Sequence, residues 1–152
     1  MKKTIILIIS FFIFSNVFAQ FPLKASKVQL NAGVGFSPSN TPIYIGFDYG
    51  LKTDLTLGGE MIFHKAGTGI LANINYHFNE LLNLDSKLNI YTGVNLSAFL
   101  LKSTPTTSSK TNFNLGGQLG GRYQLSSSIS LNLEFGIGNS INDGKLGISA
   151  KL

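Results

Sequence analysis

The chain has 152 residues, enough for one domain or one small closed barrel. Only 12% of them are Asp, Glu, Lys or Arg, where soluble domains carry about 25%, so a surface kept in water by charge is not expected. The absence of cysteine excludes disulfides and thiolate metal sites, and the mild excess of basic residues is too small to point to nucleic acid.

The chain opens with Lys2 and Lys3, then an apolar run over residues 5–14, then Val17, Phe18 and Ala19 at positions where small side chains invite cleavage. This is the pattern of a signal peptide over 1–19. A helix needs about 20 apolar residues to cross a bilayer, and Ser10, Ser15 and Asn16 interrupt this run, which disfavours a permanent anchor. No cysteine follows the cleavage point, which excludes a lipoprotein. Residues 20–25 form a short lead, and 26–152 read as one unit.

From Ser26 onward the chain alternates with period two, the signature of strands whose faces meet different surroundings. The first strand sets Val28, Leu30, Ala32, Val34 and Phe36 against Lys27, Gln29, Asn31, Gly33 and Gly35. The second sets Ile43, Ile45, Phe47, Tyr49 and Leu51 against Tyr44, Gly46, Asp48, Gly50 and Lys52. The third, over 55–64, and the fourth, over 69–78, repeat the pattern, with Ile70, Ala72, Ile74, Tyr76 and Phe78 on the apolar side of the fourth. The fifth (88–101) and sixth (112–125) are longer, and the seventh and eighth place Ile129, Leu131, Leu133, Phe135 and Ile137, then Leu146, Ile148, Ala150 and Leu152, on the apolar face.

Across all eight strands the apolar face is broken only by Gly59, Thr92, Gly117 and Gly121, and no charge falls on it. A water-soluble barrel would show Lys and Glu on its outer face. An uncharged band on every strand suits hydrocarbon instead, where Lys or Arg near the midplane costs about 2–4 kcal/mol. Val28, Leu30, Ile45, Phe47, Ile74, Leu131, Leu133 and Ile148 are therefore expected to face lipid. Lipid offers no hydrogen-bond partner, so the sheet must close to remove its edges, and eight strands close into the smallest such barrel. The fold class is all-β: an eight-stranded antiparallel up-and-down transmembrane barrel whose interior is filled by side chains rather than left as a pore.

With the first strand entered from the periplasm, the outer connections are 37–42, 65–68, 102–111 and 139–143, and the periplasmic ones 52–54, 79–86 and 126–127. Pro38 and Pro42, Ala66-Gly67, Asn142-Asp143-Gly144 and Ser126-Ser127 supply turn chemistry. Residues 79–86 carry Leu81, Leu82 and Leu84, which suit a short interfacial turn, and they or residues 102–111 are the places where a protein partner would dock.

The inward face holds the chain's strand charges. Lys27, Asp48, Glu60, Arg122, Glu134 and Lys145 are expected to form one mixed network, since an unpaired charge is costly at low dielectric. Arg122 is expected to reach Glu134 on the next strand, with Glu60 and Lys27 or Lys145 nearby. Glu60, His64 and Ser97 invite comparison with a hydrolase triad, but sequence does not specify their cross-strand geometry. His64 and His77 fall at opposite ends, against a shared metal ion, and no metal or cofactor is expected. The glycine run from Gly116 to Gly121 lies inside a strand with no helix or Lys-Ser/Thr after it, unlike a phosphate loop.

The leader, the eight alternating strands and the final strand ending at Leu152 together resemble the small outer-membrane barrels of the OmpA/OmpX type in Gram-negative bacteria. In that family the final strand is read by the barrel-assembly machinery and usually ends in an aromatic residue, where this chain has Leu152. The resemblance implies residence in the outer membrane, contact with its lipid and lipopolysaccharide, and a role among those of the family: structural anchor, adhesin, lipid-modifying enzyme or narrow channel. The closed polar interior favours a structural or surface-interaction role without catalysis. A lipid-modifying enzyme and a narrow solute channel are the alternatives.

Overall fold

A computed structural model describes residues 22–36, 41–102, 110–138 and 144–152. The expected leader lies outside the described residues, as do most of the first, third and fourth outer connections. The eight strands are β1 (Val28–Phe36), β2 (Ile43–Lys52), β3 (Leu55–His64), β4 (Gly67–His77), β5 (Leu88–Leu101), β6 (Thr111–Gln124), β7 (Ile129–Gly138) and β8 (Gly144–Lys151). Each pairs antiparallel with the next, and β1 pairs with β8 from Gln29 opposite Lys151 to Phe36 opposite Gly144, closing the barrel.

The alternation translates directly into two surfaces. Ile43 is 60% exposed while its neighbour Tyr44 is 2% exposed, and the same step recurs along the strands. Leu30, Ile45, Phe47, Ile74, Leu131, Leu133 and Ile148 all stand on the outer wall, and Val28 is half-buried there at the start of β1. The interior is the reverse of a soluble core: among the described residues, Tyr44, Ile62 and Leu71 form a small apolar cluster amid many buried polar side chains.

The connections refine the expected boundaries. β4 begins at Gly67, not Gly69: Gly67 already pairs with Leu101, and the backbone N–H of Ala66 donates to His64 Nδ1 (3.1 Å), leaving Lys65 and Ala66 as the whole turn. The glycine expected to shape the turn instead continues the ladder. β6 ends at Gln124, since Leu125 and Ser126 both donate to the carbonyl of Ile129, and Ser126 Oγ accepts from the Ile129 N–H. Between β2 and β3 a register shift at Gly50/Lys52 absorbs an extra residue before the turn.

Residues 79–86 form the expected short turn. Leu82 N–H donates to Phe78, Leu84 N–H to Asn79 and Asn83 N–H to Glu80, the last two being the paired bonds that end a helical turn, with Asn83 at φ 48° taking the left-handed position. Leu81 and Leu82 project outward from it. On the same end of the barrel the lead folds back over the mouth. Leu23 is buried, Ser26 at φ 62° donates to Gly50, and the Lys24 carbonyl lies so close to Gly50 that no side chain fits there.

Candidate functional site

Among the described residues, chemistry-bearing side chains converge in the lumen. Arg122 on β6 crosses to Asp48 on β2, its guanidinium nitrogen 2.6 Å from Oδ2. Asn31 donates to the same oxygen at 2.9 Å. On the other side Lys145 of β8 sits between two carboxylates, 2.7 and 2.8 Å from Glu60 of β3 and 2.7 Å from Glu134 of β7. Three carboxylates thus share two cations, each on a side chain that water hardly reaches. At low dielectric such charges persist only when paired.

Two tyrosines join these ion pairs. Tyr91 donates from its hydroxyl to Glu134 (2.8 Å), and Arg122 lies over its ring, 4.6 Å from the centroid. Tyr44 donates to Asn132 (3.0 Å), which in turn donates to Ser149 (2.9 Å), while Lys145 lies 5.1 Å from the Tyr44 ring centroid. Glycines create the room. A Cβ on Gly120 would strike the Tyr91 ring, and one on Gly147 the Tyr44 hydroxyl.

This geometry corrects two expectations. Arg122 does not bind Glu134, because Tyr91 enters the space over Gly120 and takes that carboxylate, and the guanidinium reaches across to Asp48 instead. Lys27 does not join the network. It precedes the first ladder position, is exposed at the mouth, and the inward carboxylate of the adjoining strand, Asp48, is already held by Arg122, Asn31 and Gln29. Asp48, Glu60, Arg122, Glu134 and Lys145 are brought together.

A second layer of the lumen is neutral. Gln118 donates to Asn75 (2.6 Å), Asn75 to Asn73 (3.2 Å) and Asn95 to Gln118 (3.0 Å), an amide chain linking β4, β5 and β6. Toward the end where β1 begins, His77 lies between Thr56 (3.0 Å) and the Asn89 amide, which donates to Asn79. Period two marks all of these residues except Asn79, which follows β4, as inward. Which amide meets which depends on the stagger between strands, and only the register supplies that.

The triad candidates are separated. Glu60 is occupied by Lys145, while His64 stands at the opposite mouth, edge-on to Phe99 with ring centroids 5.8 Å apart. Ser97 Oγ lies 3.5 Å from the Asn114 carbonyl. His64 and His77 sit at opposite ends of β3 and β4, and among the described residues no cluster of three or more His, Asp or Glu is placed to hold a metal ion. The glycine run lies within β6, bonded into the ladder on both sides.

No family model matches the sequence, and no curated protein matches it either. Solved structures do match in shape. A de novo designed transmembrane β-barrel aligns over 85% of this chain and 98% of its own length, with 16% identity and a TM-score of 0.66. The N-terminal β-barrel domain of Pseudomonas aeruginosa OprF aligns over 84% and 98%, with 15% identity and a TM-score of 0.58. Neisserial surface protein A aligns over 83% and 94%, with 18% identity and a TM-score of 0.51. The fold is that of the small transmembrane barrels of the bacterial outer membrane.

Proposed function

We propose that this chain is an integral outer-membrane barrel with a structural or surface-interaction role, closed by its own side chains and performing no catalysis. The observation that carries this reading is that the lumen is bridged between strands that are not neighbours in the sheet: β2 to β6 by Asp48–Arg122, β3 to β8 by Glu60–Lys145, and β2 to β7 by Tyr44–Asn132. Such cross-links act as rivets. They consume the groups that a general acid, base or ion-selective filter would need free.

Planar-bilayer recording tests the reading. The wild-type protein is expected to give no discrete conductance steps, whereas the double variant Arg122→Ala/Lys145→Ala, if folded, opens a path. Steady wild-type conductance would favour the narrow channel. Lipid profiles of cells carrying Glu60→Gln or His64→Ala are expected to match those of cells carrying the wild type, and a changed profile would favour the lipid-modifying enzyme. The partners in this reading are outer-membrane lipid and lipopolysaccharide along the apolar wall and the barrel-assembly machinery at β8, where Leu152 N–H donates to Val28 and follows the last strand. A protein partner would meet the exposed Leu81 and Leu82 of the 79–86 turn, or residues 102–111 at the other end.

A further inference from the structure

The outer wall has a flaw that the barrel's own packing does not explain. Of the four breaks in its apolar face, Gly59 is covered by the ring of Phe47, whose carbons lie 3.1 and 3.3 Å from where a Cβ would stand. The other three, Thr92, Gly117 and Gly121, fall on the adjacent strands β5 and β6. Thr92 turns its hydroxyl back onto the Gln118 carbonyl (2.9 Å). At Gly121 an added Cβ would meet only the Asn89 carbonyl oxygen, at an ordinary 3.7 Å, and the residue has no left-handed φ. Gly120, its inward neighbour, is forced by Tyr91, but nothing inside the barrel or along the wall requires Gly121 to lack a side chain.

The consequence of the missing side chain is a groove. It has a volume of about 400 Å³, its floor is backbone at Gly120 and Gly121, and its walls include Ile90, Leu119, Leu133 and Phe135, with Tyr123 toward the end where β1 begins and β8 finishes. It is continuous with the wall that hydrocarbon bathes. We infer that this groove on β5–β7 is a binding site for one acyl chain of a membrane phospholipid. Because the groove opens on the wall that the membrane reading above places in lipid, acyl tails are what it meets, and a second barrel is the opposing outcome of the test. A flexible chain of methylenes fills a narrow apolar channel and shields the bare backbone at its floor from poorer contacts.

Native mass spectrometry of the detergent-solubilised protein with added palmitoyl-oleoyl phosphatidylglycerol tests the site. The wild type is expected to retain a single lipid adduct at activation energies that strip the rest. Gly121→Leu, which fills the groove from its floor, loses that adduct, and so does Leu119→Trp, which fills it from the wall should the first variant fail to fold. Ala72→Leu, on the outer face of β4 away from the groove, keeps it. Retention of the adduct by both folded filled variants, its absence from the wild type, or a wild-type dimer that filling the groove abolishes would each overturn the assignment.

Discussion

The lumen and the outer wall are made from the same strands by the same alternation, yet they are specified to different depths. On the wall a residue need only be apolar: Leu, Ile, Val, Phe, Met, Tyr and Ala replace one another from strand to strand, because hydrocarbon makes no directional demand. In the lumen identity and partner both matter. Lys145 is held by two named carboxylates, Tyr91 fits only because residue 120 is glycine, and Asp48 accepts from three side chains. Burial without solvent makes each polar group depend on a specific neighbour, whereas burial in lipid makes each apolar group depend only on the medium.

The contrast can be broken most strongly from inside. Lys145→Ala leaves Glu60 and Glu134 facing each other without their cation, and it is expected to lower the unfolding free energy in detergent or lipid by about 3–5 kcal/mol, read from urea titrations of tryptic protection or gel mobility. The wall yields only to charge. Ile148→Arg, near the middle of β8 and outward, is expected to cost about 2–4 kcal/mol in a bilayer. In a short-chain detergent that admits water the effect shrinks, which separates a cost of lipid exposure from a cost of packing.

Smaller changes sharpen the difference. Gly120→Ala pushes a methyl into the Tyr91 ring and is expected to destabilise by about 1–3 kcal/mol, detected as a lower urea midpoint. Ile45→Leu, an outward swap of similar volume, is expected to shift the same midpoint by less than about 0.5 kcal/mol. Lys27→Gln, at the exposed mouth, is expected to leave it unmoved. A large loss there would return Lys27 to the polar network.

Much of this was legible in the sequence because period two is a local property. Each strand declares its faces without reference to any other strand, so eight strands, their limits to within about two residues, the outward-facing set and the closed antiparallel order follow from the chain alone. Boundaries slipped where a turn residue doubled as a ladder residue, as Gly67 does. Pairing inside the barrel was not legible. Inward residues from eight strands meet around one narrow axis, and which of them touch depends on the stagger between strands and on side chains that reach four strands away. That Arg122 passes Glu134 to bind Asp48, that Tyr91 occupies the place Gly120 vacates, and that Lys27 ends outside the network are decisions of the closed sheet, because only closure fixes the distances across the lumen.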